Sequence, residues 1–189
     1  MGTRITTRLS VAGIQRAQKQ LLAYRNDMIA KCEKFVRVLA NKGILVAEDN
    51  LGGSEENPGG YGNYITFEVK TEPERYGVKG ILIATNTGII KSEWRLADGS
   101  TRTADVSPLL MAEFGSGLRA NNVRAGEFGM GTGTFPGQTH AEDPEGWWYM
   151  DTNETWHHSR GVTPTMPMGK AYAEILDQID TVAKEVFGT

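Results

Sequence analysis

Apolar residues recur at three- and four-residue spacings through the first fifty positions, which is the period of a helix with one buried face. Ser10 offers an N-cap, and Ile14, Ala17, Leu21 and Leu22 follow on one side. Met28, Ile29, Cys32, Phe35, Val36 and Leu39 extend the stripe, with Lys31, Lys34 and Arg37 opposite. Asn41, Lys42 and Gly43 resemble a stop, yet Ile44, Leu45 and Val46 stay apolar. The helix either ends there or runs through to about Asp49 at the roughly 1 kcal/mol that an interior glycine costs. One long helical region dominates on both readings.

The period then changes. Residues 51–63 read as a loop, with Gly52-Gly53, Pro58, Gly59-Gly60 and Gly62. From Tyr64 to Lys70, Ile65, Phe67 and Val69 alternate with Thr66, Glu68 and Lys70, the pattern of a strand wet on one side. Lys79 to Asn86 predicts a more buried strand, paired antiparallel with the first across a loose loop of about eight residues. Ile89-Ile90 to Leu96 suggests a third strand, ended by Ala97-Asp98-Gly99-Ser100. Ser107-Pro108 opens a short helix to Phe114 that Gly115 closes, with Leu109, Leu110 and Phe114 toward the core.

Eight glycines from Gly115 to Gly146 are too many for a packed element, so this stretch is expected to be a long excursion or arm. Strand character returns at Gly146 to Asp151. A final helix over Lys170 to Phe187 is expected to carry Ala171, Ile175, Ile179, Val182 and Val186 on its inner face. Helix, strands, short helix, excursion, strand and helix, without regular alternation, predict an α+β fold. In it a small, mainly antiparallel sheet packs on the two long helices, as a single domain over 1–189.

Composition narrows the functional classes. Twenty Lys plus Arg against 23 Asp plus Glu give a net charge of -3 with no long block of either sign, so no general attraction for nucleic acid or anionic lipid follows. The single cysteine, Cys32, excludes an internal disulfide framework and suits a reducing compartment. No run approaches the roughly 20 apolar residues of a membrane span, and the N-terminus lacks a signal-peptide run, so a soluble protein without membrane partners is expected.

Three of the four tryptophans, Trp147, Trp148 and Trp156, fall within ten residues. Such clustering marks a core seam or a contact surface, because indole combines a large apolar face with one N–H donor. If Gly146 to Asp151 is a strand, Trp147 and Trp148 point to opposite faces, one packed under a helix and the other available for a neighbour. Trp147, Trp148, Tyr149 and Trp156, with Phe128 and Phe135 from the excursion, are the candidate interface residues.

Catalytic constellations are weak by comparison. His140, His157 and His158, with Asp151, Glu154, Glu142 or Asp143, could supply metal ligands for a metal-dependent hydrolase, but adjacent histidines on a strand diverge and no HExxH spacing is present. Gly126 to Thr134 resembles a phosphate cradle yet lacks the Gly-Lys-Ser/Thr ending and a delivering strand. Cys32 sits on an apolar stripe as an inert thiol, and Ser116 lacks a nucleophile elbow. Glu55-Glu56 and Glu142-Asp143 have no apolar setting to raise a pKa. No catalytic residue, cofactor or metal is assigned. Lys91, Arg95, Arg102, Arg119 and Arg124 could line a basic surface facing DNA in a channel or serve a DNA-associated accessory protein, although charges so dispersed usually form a solvated face.

The order of these features resembles a known family. The long N-terminal helix, short strands and the turn Ala112-Glu113-Phe114-Gly115-Ser116-Gly117 come first. Gly146-Trp147-Trp148-Tyr149, the Trp156 to Gly161 segment, Pro164 to Met168 and a C-terminal helix follow. Together they resemble the head-to-tail joining (neck and tail-completion) proteins of long-tailed bacteriophages. The likeness covers most of the chain in element order. It is close only at the Glu-Phe-Gly turn and from Gly-Trp-Trp-Tyr to Pro-Met-Gly-Lys-Ala, and the segment after Gly117 is longer than in a compact member.

The resemblance implies a non-enzymatic virion protein, assembled in the host bacterial cytoplasm as a ring between the portal-side connector or head-closure proteins and the tail tube. Six copies match six-fold tail symmetry, and twelve would suit a ring nearer the portal. It transfers no catalytic residues.

Overall fold

A computed structural model describes residues 10–52, 60–95, 98–134, 142–150 and 153–188. Phe135 and His140, named above, lie outside the described residues. The fold is α+β, with a long N-terminal helix, small antiparallel sheets and a C-terminal helix.

Helix α1 runs unbroken over Val11–Asp49, 39 residues or roughly 58 Å at the helical rise. Ser10 caps it, its hydroxyl accepting from the Gly13 N–H at 3.1 Å. The glycine that resembled a stop instead serves packing. A Cβ at Gly43 would lie 2.8 Å from Ile175 Cδ1, so glycine lets α1 and the C-terminal helix α4 (Pro167–Phe187) approach closely. The two helices pack antiparallel, with Gly43 beside Ala171 and Ile175, and Phe35 against Phe187 at 5.7 Å between ring centroids.

Strands β1 (Ile65–Glu74) and β2 (Gly77–Asn86) form an antiparallel two-stranded sheet. The connection is Arg75-Tyr76 rather than the eight residues expected. Pro73 lies within the strand because this edge does not need its missing N–H. Ile65, Phe67 and Val69 share a face with Leu82, Ala84 and Gly80, and Gly80 meets Val36 of α1. Ile81 to Ala84 are half-buried rather than fully buried. Arg37 ties helix to hairpin, donating to Glu33 and to Thr71 Oγ1, each at 3.0 Å.

A four-stranded antiparallel sheet follows in the order β4-β3-β5-β6, from β3 (Ile90–Arg95), β4 (Thr101–Val106), β5 (Trp147–Met150) and β6 (Trp156–Ser159). The turn before β4 is held by Asp98, whose carboxylate accepts from the Ser100 hydroxyl at 2.6 Å and N–H at 2.8 Å. These bonds stabilise the charged form and lower the Asp98 pKa below its ordinary 3.8.

Helix α2 (Pro108–Phe114) begins as expected, with Ser107 as N-cap and proline in the first turn. Asn86 reinforces the start by donating to Ser107 Oγ and accepting from the Leu109 N–H. Phe114 is buried, but Leu110 is 39% exposed and faces away from the core. The main apolar cluster gathers Leu51, Tyr61, Ile65 and Ala112, with Phe67, Ile90, Met111 and Val162 around it.

Residues 117–134 correct the expectation of a free excursion. After a 3-10 turn at Gly117–Arg119, helix α3 (Asn122–Glu127) forms, capped by Asn121. Ala125 and Thr134 are buried, and Thr134 Oγ1 donates to the Gly115 carbonyl. Most glycines here serve turns between short folded pieces, which a glycine count alone cannot distinguish from an arm.

Candidate functional site

The two motifs that carried the family resemblance meet in space. The turn 112–117 packs against 159–169, and the junction is built from backbone pairing and one buried carboxylate. Ser116 and Val162 exchange backbone hydrogen bonds at 2.9 and 3.2 Å, while the Ala112 carbonyl accepts from the N–H groups of Thr165 and Met166. At Gly161 (φ 94°) a Cβ would collide with the Ser116 carbonyl, and at Gly115 (φ 72°) with the Val162 carbonyl. Only glycine permits this crossing of two chain segments.

Glu113 joins the halves. It is buried, yet both carboxylate oxygens are used: Oε2 accepts from the Met168 N–H at 2.9 Å and Oε1 from the Gly169 N–H at 3.1 Å. Arg124 Nη2 lies 2.9 Å from Oε1 and balances the charge. Those two N–H groups belong to the first turn of α4, where the helix offers unsatisfied donors and a positive dipole end. Met166, the N-cap residue, makes no side-chain cap bond and sits at φ 52°, so the cap comes from α2 instead. For this reason α4 starts at Pro167 and not, as the periodicity suggested, at Lys170. Glu113 was not singled out from sequence. The Glu-Phe-Gly turn was its only trace there.

Beside this junction lies the tryptophan cluster. Trp147 is half-buried, its indole closing over Gly117, where a Cβ would come within 2.6 Å of the ring. Trp148 points to the other face and is 65% exposed, with its ring 4.8 Å from His158. The register pairs Trp148 with His158 and Met150 with Trp156, so these four share the outer face of the β5–β6 ribbon. Trp156 is 58% exposed. Tyr149, on the inner face, stacks on His157 at 5.3 Å. Trp147 and Trp148 face opposite sides as strand alternation requires, but Trp147 closes over the turn at Gly117 and not under a helix as expected. Trp147 is occupied within the chain, whereas Trp148 and Trp156 form an open aromatic patch. Phe128 is 67% exposed and touches Phe114 at 5.5 Å.

The histidines diverge, as adjacent strand residues must. His158 Nε2 lies 2.7 Å from the Glu145 carbonyl, while His157 faces Tyr149 across the ribbon. Among the described residues, no group of three or more His, Cys, Asp or Glu is placed to hold a metal ion.

The basic residues are not gathered on one surface. Lys91 of β3 and Arg102 of β4 fall on opposite faces of this strand pair, since the register sets Lys91 opposite Asp105. Arg119 donates to Thr163 Oγ1 at 3.3 Å, and Arg124 is engaged by Glu113. Also unforeseen was the exposure of the first half of α1, where Val11, Ile14, Leu21, Leu22 and Tyr24 are each at least half exposed.

Comparison of the chain with protein-family models, with curated proteins and with solved structures finds no match in any of the three. Among the described residues, no helix is long and apolar enough to cross a membrane.

Proposed function

We propose that this chain is a structural virion protein of the phage head-to-tail joint, a neck or tail-completion subunit that forms a ring between the portal-side connector and the tail tube. The observation that carries the reading is the projecting half of α1. About 24 residues, roughly 36 Å of helix, extend past the Phe35–Phe187 contact at the end of α4, and Val11, Ile14, Leu21, Leu22 and Tyr24 among them are at least half exposed. A long exposed apolar stripe is costly for a lone molecule and suits a subunit completed by its neighbours. The Trp148–Trp156 patch supplies a second contact of the kind favoured at interface centres.

On this reading the protein works by shape. Its ring adapts one partner surface to another, and the Glu113 junction holds the aromatic ribbon and α4 in fixed relation while load passes between head and tail. Six copies match the tail, and DNA passing through the ring meets it without sequence readout.

Light scattering of the purified protein, alone and with connector and tail-tube proteins, tests the proposal. A ring that binds at least one of them is expected. A monomer that binds neither under any condition refutes the proposal.

A further inference from the structure

The β1–β2 hairpin has two outer edges, and the phase of its hydrogen bonds fixes which backbone groups stand on them. The Thr87 N–H donates to the Tyr64 carbonyl at 2.7 Å, one step beyond the last pair of the ladder. Bonded pairs recur at every second position, so Glu68 and Lys70 are bonded to Ile83 and Ile81. The backbone groups of Gly80, Leu82 and Ala84 in β2, and of Phe67, Val69 and Thr71 in β1, therefore point away from the hairpin. Among the described residues, no strand but β1 pairs with β2, and no loop backbone bonds Gly80, Leu82 or Ala84.

The two edges differ in chemistry. Strand β1 carries Pro73, which has no N–H to offer, and sets Glu68, Lys70, Glu72 and Glu74 on the face turned away from α1. Strand β2 has no proline, and the half-buried run Ile81-Leu82-Ile83-Ala84 holds no charge. An open edge of this kind is one that soluble chains cover or break, because unpaired backbone beside apolar side chains templates a further strand. The one charged residue of β2 is Lys79, on the same face as the β1 carboxylates and 3.7 Å from Glu72.

We infer that the outer edge of β2 in one copy pairs antiparallel with the outer edge of β1 in a second copy of this chain. The hairpin already matches these two strands over ten residue pairs, and the open edges allow the same register to repeat. Gly80, Leu82 and Ala84 then bond to Thr71, Val69 and Phe67 of the second copy. All six side-chain positions lie on the α1 face, so the apolar side stays continuous across the junction. On the opposite face Lys79 meets a second Glu72. Joining β2 to β2 offers Lys79 no carboxylate, because that strand contains none, and it leaves β1 uncovered. The contact uses two different edges, so each copy both gives and receives. Its repetition closes into a ring or runs on as a filament. The inference deepens the ring reading and rests on it for closure alone.

Cysteine cross-linking in the full-length protein tests the contact. With Cys32→Ser as background, Ile81→Cys is introduced in one preparation and Lys70→Cys in another. In the repeated register these positions face each other across a non-hydrogen-bonded pair, at a Cα separation of about 4.5 Å that a disulfide can span. One cysteine per chain excludes a link inside the hairpin, and far-UV circular dichroism of each variant checks the fold. On mild oxidation, the mixture is expected to give a covalent dimer that neither preparation gives alone. Lys79→Glu in the first preparation should lower the yield about threefold, since like charges then face each other across the strands. Glu72→Lys in the second should restore it. Ala84→Pro removes an outward N–H and no bond of the hairpin itself, and it should abolish the link. If that variant misfolds, the charge exchange carries the test.

A mixture that gives no cross-link, or Ile81→Cys protein that links only to itself, overturns the inference. Light scattering of the Cys32→Ser protein keeps the two ideas apart. A ring without this cross-link defeats the contact and leaves the ring standing. A cross-linked chain that never closes supports the contact and defeats the ring.

Discussion

Removal of the Glu113 carboxylate by Glu113→Ala strikes a side chain that joins α2, α3 and α4. It eliminates two hydrogen bonds to the first turn of α4 and the partner of Arg124. An N-cap contributes about 0.5–2 kcal/mol. Leaving a hydrogen-bonded group without its partner costs about 1–3 kcal/mol when it is buried. The Arg124 side chain is 33% exposed, so water recovers part of that second cost. The expected loss is about 3 kcal/mol, or roughly 6–12 °C in Tm for a chain of this size.

Glu113→Gln preserves volume but sets an NH2 against backbone donors, so it should recover less than half of the loss. Urea denaturation measures both variants, and amide exchange should show the Met168 and Gly169 N–H groups losing protection first. A cycle with Arg124→Met should give a coupling of about 1 kcal/mol or more. If Glu113→Ala costs less than about 0.5 kcal/mol, the range of an ordinary surface change, the junction is not held as described.

Gly117→Ala adds a Cβ 2.6 Å from the Trp147 ring at a backbone φ of 61°. It should destabilise the chain by about 2 kcal/mol or more, given both steric conflict and a left-handed backbone, and tryptophan fluorescence should report the displaced indole. Trp148→Ala, at an open site, should change Tm by no more than a degree or two, while binding to an assembly partner, read by interferometry, falls at least about tenfold as for a central aromatic contact. Asp98 titrates below 3.8 because its Ser100 bonds favour the carboxylate. Its folded pKa is depressed, so its help to the turn is present at neutral pH and fades as pH falls through that value. NMR titration should show the low midpoint, and Ser100→Ala should return it toward the ordinary range.

Much of the backbone could be read from periodicity. The Ser10 cap, the long α1, the alternation of Ile65, Phe67 and Val69, and the Ser107-Pro108 helix start all follow from local chemistry, and local chemistry decided them. Strand β4 escaped notice because Thr101, Arg102, Thr103 and Asp105 put polar residues on both of its faces, so the run lacks the alternation of a half-buried strand. The first turn of α4 escaped because its cap comes from Glu113, more than fifty residues earlier. Glycines misled in two directions: Gly43 signals a helix contact where it resembled a stop, and Gly129 and Gly133 mark turns where they resembled part of an arm. At the candidate interface, strand alternation separated Trp147 from Trp148 correctly. Only tertiary structure could show that Trp147 is spent on Gly117 and that half of α1 stands clear of the body.

The ring is the central claim, and the mass of the native assembly tests it most directly. Native mass spectrometry of the full-length protein, across concentration and with connector and tail-tube proteins added, should reveal a closed species at one fixed multiple of the 20.7 kDa chain, six copies being expected. A chain that remains at 20.7 kDa throughout, with and without those partners, would contradict the account.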